Sequence, residues 1–389
     1  MKIKNIYTWI FTLLASAMVA IGRMYDERLE FMGVNYSILL SVCYILSSIP
    51  LLLSIKSIKL NSVKRLLYYF LFILFFSSLL WLVYGFIEYG VLKYLNFVIL
   101  IIPLLVIIME KFDYNDVQRL FTIIISFIIF LSLIGLTIVA GSNERLSVLG
   151  GGPIVFARWM IIGVFILFFR KKNNVHWILI PFFIVLSLAA GSRGPIFSLF
   201  CTFFIYIILT FQKTIIRIVS VALILTMVLY FSGVFNEVVD LGRTDRLVTK
   251  DSTSKNVRIK FAKRSVETII NYPFGVGIGN WQTYCNKLRP YHLLAHEYPH
   301  ILVLEVFTEM GFVGGILLLL LLLKILYFTY SRMIRYRNYE SSFYPLLFYL
   351  QLFLIINSFF SGDLSDSRLL FIIIAISLIN KPLVINNDK

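Results

Sequence analysis

Long apolar runs, each ended by a short polar or basic stretch, set the pattern along this chain. A bilayer core needs about 20 apolar residues per helix. By that measure the runs lie near 6–22, 36–55, 66–87, 94–110, 119–140, 153–169, 176–191, 195–212, 215–233, 301–330, 342–360 and 368–381. The pattern predicts an all-α, polytopic helical membrane protein of about twelve transmembrane helices, forming a single integral membrane domain over 1–389. One stretch departs from it. Residues 234–300, between the ninth and tenth runs, are polar, and a connection of that length in a compact protein is usually functional or disordered. Inside it, Ser254 to Ile270 places Val257, Phe261, Val266, Ile269 and Ile270 at helical spacing. That spacing predicts an amphipathic helix lying against the membrane. The following Tyr272-Pro273-Phe274-Gly275-Val276-Gly277-Ile278-Gly279-Asn280-Trp281 combines aromatic and turn residues, which predicts order.

Composition removes the other broad classes. Of 389 residues, 59% are hydrophobic and 14% charged, with a mean hydropathy of +0.88. A soluble domain is about half apolar and a quarter charged, so this chain cannot cover itself in water. The net charge of +16 would suit a nucleic-acid binder only if it were concentrated in a basic arm. Instead the Lys and Arg residues fall between the apolar runs, so no nucleic-acid partner is expected. With the N-terminus inside, the short inner segments carry 18 of them and the short outer segments six, Lys93 among the six. This bias predicts that both termini are cytoplasmic and that 234–300 is an extracytoplasmic loop. Cys43, Cys201 and Cys285 are scattered, so neither a disulfide nor a metal framework follows.

The candidate chemistry gathers at the outer rim. His300 stands where the chain enters the tenth run, and its ordinary pKa suits general-base work; a solvated loop histidine is the plain alternative. His292 and His296 precede it at four-residue spacing, but Pro299 and the lack of nearby carboxylates argue against a metal face. Glu305 and Glu309 are carboxylates within an apolar run and so candidates for function. On a continuous helix they would point roughly 140–180° away from His300, which favours interhelical hydrogen bonding for them. Gly311 and Gly315 mark a close helix approach. Arg193, in the tight break Ala189-Ala190-Gly191-Ser192-Arg193-Gly194-Pro195, could fork onto phosphate oxygens or simply snorkel. Arg258, Lys260, Lys263 and Arg264 form a basic run on the loop helix, suited to an anionic substrate or to lipid headgroups. Arg158, inside the sixth run, would be costly in lipid and should face a polar cavity. Asp363 and Asp366 fall in the last outer loop, as sugar contacts or solvated acids outside the core site. One histidine with several arginines favours a phosphate-bearing substrate presented from the membrane.

Over roughly 145–330 these residues resemble the O-antigen ligase and O-antigen polymerase superfamily. Ser192-Arg193-Gly194 resembles its small-Arg-Gly turn. Arg258 followed by Asn271-Tyr272-Pro273-Phe274-Gly275-Val276-Gly277 resembles its loop pattern. His300, Leu304, Glu309, Gly311 and Gly314 match its His-Asn-x-x-Leu…Glu-x-Gly-x-x-Gly spacing, with Ile301 in place of the usual Asn. The loop helix also lacks a tryptophan commonly found four residues after its Arg. The resemblance implies a GT-C-like membrane glycosyltransferase of the bacterial inner (cytoplasmic) membrane, using an undecaprenyl-diphosphate-linked glycan without a metal or other cofactor. His300 would be the base, Arg193 and Arg258 the diphosphate ligands, with Arg158, Arg264, His296 and Glu309 as secondary candidates. The motifs favour a polysaccharide polymerase with inversion, the alternative being a ligase that transfers the glycan to lipid A-core. Partners would be membrane lipids, a chain-length regulator and a flippase. A lipid-linked oligosaccharide flippase or other transporter is the reading from a different class.

Overall fold

The computed structural model describes residues 3–21, 24–25, 29–31, 33–141, 152–170, 176–210, 252–288 and 297–384. Among these, helices occupy eleven of the twelve predicted runs. The run 215–233, the loop segment 234–251, His292 and His296 lie outside the described residues. Among the described residues, six helices are long and apolar enough to cross a membrane: Tyr36–Leu53, Ser62–Tyr84, Glu88–Lys111, Tyr114–Thr137, Arg193–Thr210 and Leu302–Arg335. Shorter apolar helices include Pro153–Phe169, Tyr344–Ser358 and Arg368–Ser377. The one strand pair among the described residues joins Glu30–Phe31 antiparallel to Val34–Asn35.

Local chemistry explains several boundaries. The Asn61 carboxamide oxygen accepts from the backbone N–H of Val63 at 3.0 Å and of Lys64 at 2.8 Å, capping the Ser62–Ser77 helix. Pro153 occupies the first turn of its helix, where a missing N–H costs nothing. Pro103 is different, because it falls inside the Glu88–Lys111 helix. With no N–H to donate to the preceding turn, it is approached through a π-helical stretch, Asn96–Ile101. There the Tyr44 hydroxyl donates to the Leu100 carbonyl at 2.7 Å.

The chain divides into two compact units, Met1–Ile124 with Thr253–Lys389, and Ile125–Ser252. In the second, Pro153–Phe169 packs against His176–Ala189 and Arg193–Thr210. In the first, Ser62–Ser77 runs along Leu302–Arg335, and Arg368–Ser377 is buried over its whole length. Phe371 of that helix stacks on Phe70 with ring centroids 5.7 Å apart and meets Phe97 edge-on at 5.3 Å. Lys64 is also fully buried, pairing with Glu110 at 2.6 Å and donating to Asn380 at 3.0 Å.

The feature that builds the site is a break in the longest helix. Within Leu302–Arg335, Gly311 has φ 73° and ψ −174°, a conformation essentially confined to glycine. The break frees carbonyls of the preceding turn, and the glycine-rich segment 273–279 supplies their donors. Val276 N–H donates to the Thr308 carbonyl at 3.0 Å and Gly277 N–H to the Glu309 carbonyl at 3.0 Å, while Phe312 N–H donates to the Pro273 carbonyl at 2.9 Å. Irregular backbone at such a position is tolerated when it is buried in protein and its polar groups are matched. The segment is also fixed on its other side. Trp81 Nε1 donates to the Ile278 carbonyl at 3.0 Å, and Asn280 Nδ2 donates to the Gly85 carbonyl at 2.8 Å.

The loop helix, Ser252–Asn271, has a protein-buried face that its apolar spacing does not define. Phe261, Arg264, Ser265, Thr268 and Ile269 are buried, whereas Val266 and Ile270 are exposed. Polar members share the buried face because they have partners there. Trp281 Nε1 donates to Ser265 Oγ at 2.9 Å, and Thr268 Oγ1 lies 3.1 Å from Cys285 Sγ.

Candidate functional site

His300 does not begin the helix that follows it. Its φ of 61° makes it the one non-glycine residue of positive φ among the described residues, and the helix starts at Leu302. Such a left-handed histidine is held there by its surroundings and is a place to look for function. Its ring lies nearly parallel to Phe261, 5° and 6.1 Å away, and 4.3 Å from the Tyr298 ring. Nδ1 is buried with no hydrogen-bond partner. Aromatic stacking therefore orients this imidazole, leaving a ring nitrogen uncommitted. Burial, and after it the Arg258 guanidinium, push the imidazole down to about 4, while the Asp366 carboxylate pulls the other way. The ring is neutral at pH 7, the protonation state a general base needs.

Asp366 in turn acts on Asp363, a member of a charge cluster that the sequence reading did not assemble. Lys93 is 3% exposed. Its ammonium pairs with Glu305 and, at 2.7 Å, with Glu309. Glu305 also accepts the Leu364 backbone N–H at 2.9 Å, and the Gly279 N–H bonds to Glu309. Asp363 accepts from the Tyr89 hydroxyl at 3.1 Å and from the Asp366 backbone N–H at 2.6 Å. Burial, then the charge of Asp366, push the Asp363 carboxyl upward.

These contacts revise three expectations. Lys93, counted among the outer basic residues, is a buried partner for two carboxylates. Asp363 and Asp366, read as sugar contacts or solvated acids, are tied to each other and to Tyr89, and Asp366 acts on His300. The helical-wheel argument separating His300 from Glu305 and Glu309 assumed one continuous helix, which the left-handed backbone of His300 and the helix start at Leu302 do not permit. Interhelical bonding for both glutamates is what the structure shows. A signal for Lys93 was available: two carboxylates in an apolar run need a counter-charge, and Lys93, at the edge of the run 94–110, is an ammonium that could supply it.

The remaining predicted residues divide between the units. Arg258 is exposed, one turn before Phe261 on the loop helix, and its charge reaches His300. Arg264 is buried on the same helix, and its charge reaches Cys285. Arg158, 5% exposed, and Arg193, exposed at the start of Arg193–Thr210, belong to the second unit. The turn before Arg193 uses Gly191 at φ 63°.

Cys285 offers a check on the packing under the loop helix. It is 1% exposed, and burial above all pushes its thiol up to about 11. Since the thiolate is the reacting species, maleimide labelling of Cys285 in folded protein should run roughly 100-fold slower than in the denatured chain. Labelling at comparable rates, read by mass spectrometry, would show that this helix does not stay packed on Trp281.

Comparison with known proteins bears on this geometry. Residues 178–319 match the family described as O-antigen ligase, which bears out the resemblance carried by the motifs. The matched stretch includes Arg193, Arg258, Arg264, His300 and Glu309, and leaves Arg158, Lys93, Asp363 and Asp366 outside. No curated protein matches the chain.

Proposed function

Proceeding from the O-antigen ligase family match over residues 178–319, we propose that this multi-pass membrane protein is a glycosyltransferase that polymerises undecaprenyl-diphosphate-linked oligosaccharide repeat units. The observation that carries the reading is His300, a neutral imidazole on a left-handed turn, parallel to the Phe261 ring and against a tilted Tyr298 ring, with Arg258 and Asp366 in electrostatic reach. A hydroxyl of the acceptor sugar attacks the anomeric carbon of the donor glycan. The bond from that carbon to the diphosphate oxygen breaks, the electron pair leaves with undecaprenyl diphosphate, and the hydroxyl proton passes to His300. One displacement inverts the anomeric configuration. The reaction belongs to the extracytoplasmic face of a bacterial cytoplasmic membrane, with both chain termini in the cytoplasm.

Arg258 has two tasks in this scheme. Its guanidinium takes charge that grows on the leaving diphosphate, a charge-assisted and potentially forked contact. The same charge depresses His300. A diphosphate bound at Arg258 offsets that effect, so donor binding makes the imidazole a stronger base. The resemblance assigns diphosphate binding to Arg193 as well. The exposed apolar residues Ile259, Val266, Ile270 and Phe274, alongside Lys260 and Lys263, suit a helix resting on a lipid surface.

The test is Arg258→Gln with lipid-linked donor. Removing the positive charge should move the acid limb of kcat/KM upward from near 4 toward the ordinary histidine range, and raise KM roughly tenfold. An unmoved limb with unchanged KM would remove Arg258 from the site. A ligase acting on lipid A-core is the second reading, because the matched family is described by that activity. The chemistry at His300 is then the same, and the acceptor decides between the two.

A further inference from the structure

The charge of Asp366, on the acidic loop between the last two described helices, reaches His300, and that loop is tied to the helix after His300 through Glu305, which Lys93 holds. Glu305, five residues after His300, pairs with Lys93 and also accepts the Leu364 N–H at 2.9 Å. One carboxylate thus joins the first turn of the His300 helix to the 361–367 loop. Glu309, one turn on, pairs with the same ammonium at 2.7 Å. On the loop, Asp363 takes the Tyr89 hydroxyl at 3.1 Å and the Asp366 N–H at 2.6 Å. Ser367 donates to the Asp363 carbonyl at 2.7 Å, and Arg368 Nε donates to the Val19 carbonyl at 2.6 Å. The loop is therefore fixed on both sides of Asp366, whose carboxylate pairs with Arg368 at 3.7 Å and acts on the imidazole with a sign opposite to that of Arg258.

We infer that Lys93 is a positioning residue for the reaction at His300: by pairing with Glu305 it fixes the carboxylate that joins the helix after His300 to the 361–367 loop, and so holds Asp366 as the counter-charge for the imidazolium. This rests on the reading of His300 as the base. When His300 takes the acceptor proton it becomes a cation facing Arg258 from the loop helix and Asp366 from the 361–367 loop, while Phe261 and Tyr298 carry no charge. The attraction to Asp366 exists only once the proton has moved, so it stabilises the transition state more than the bound substrate. None of Lys93, Asp363 and Asp366 lies in the matched stretch.

The experiment uses the full chain in proteoliposomes, with lipid-linked oligosaccharide extracted from source cells lacking this protein as the probe. Asp366→Asn should lower kcat roughly tenfold with KM nearly unchanged, and move the acid limb of the rate to lower pH. Lys93→Met should lower kcat at least as much, and adding Asp366→Asn to it should lower kcat little further, because coupled groups are non-additive. Tyr89→Phe, which removes only one hydroxyl from Asp363, serves if Lys93→Met fails to fold; it should give a smaller loss in kcat and the same downward movement of the limb. Full kcat and an unmoved limb in Asp366→Asn would overturn the inference, as would fully multiplicative losses in the double variant. If wild type transfers no sugar, or His300→Ala transfers normally, it is the parent reading that fails.

Discussion

Replacing His300 with alanine is expected to lower the rate of glycosyl transfer by about 10²–10⁴-fold, the range a positioned general base contributes. The loss should fall on kcat, since the imidazole takes a proton only as the acceptor oxygen attacks, while binding of the lipid-linked donor stays near the wild-type value. The fold should survive. His300 is half-buried on a turn, and its Nδ1 makes no hydrogen bond in the folded chain. Alanine at φ 61° keeps some backbone strain, so His300→Asn, which tolerates the left-handed region better, is the companion variant. It should be as inactive as alanine and closer to wild type in thermal stability. An alanine variant retaining more than about a third of wild-type kcat would remove His300 from the chemistry.

The second large effect is structural and concerns Gly311. At φ 73° and ψ −174° any side chain is strained, at about 1–3 kcal/mol. Gly85 supplies the comparison, since at φ 76° and ψ 177° it shares that conformation but has open space where a Cβ would stand. A Cβ on Gly311 would collide with the backbone of Phe274, and one on Gly275, across the seam, would meet the Glu309 carbonyl oxygen and Gly311 N at 2.6 Å. Backbone on both sides leaves no flexible side chain to yield. Gly311→Ala should therefore cost the strain plus about 1–3 kcal/mol of overpacking, and Gly85→Ala the strain alone. In detergent, the temperature at which half the monodisperse protein is lost should fall clearly further for Gly311→Ala. Equal losses would show that segment 273–279 is not seated in the helix break.

The helices of this chain are legible in its sequence because a run of apolar residues can satisfy its backbone in lipid only by coiling on itself. Leu302–Arg335 was readable to within a few residues as the run 301–330. Its interior was not. Helical periodicity carries a face from one residue to the next only while the helix continues, and Gly311 ends that continuity where segment 273–279 replaces the lost hydrogen bonds. The sequence marked Gly311 as a close approach, which it is, but the approaching group is an irregular loop. The loop helix shows a different limit. Apolar spacing marked a membrane-facing side for it but said nothing of Ser265 and Thr268, which are buried because Trp281 and Cys285 offer them partners.

Of the candidate site, His300 and Arg258 could be read from residue type and motif spacing. Lys93, Tyr89, Asp363 and Asp366 could not, because they come from segments far apart in sequence whose meeting depends on the packing of several helices. Lys93 looked like one more loop lysine until Glu305 and Glu309 supplied its reason to be buried.

The central claim is tested most directly by asking what the purified protein makes from the lipid-linked repeat unit alone. Wild-type protein and His300→Ala would be reconstituted into proteoliposomes with that lipid, and the products separated by length. The account predicts a ladder of lengthened lipid-linked glycans with wild type, newly formed linkages of inverted configuration, and no ladder with His300→Ala. Glycosylation that occurs only after lipid A-core is added would transfer the same site to a ligase. Repeat units that cross the bilayer unchanged, with no new glycosidic bond, would contradict the account.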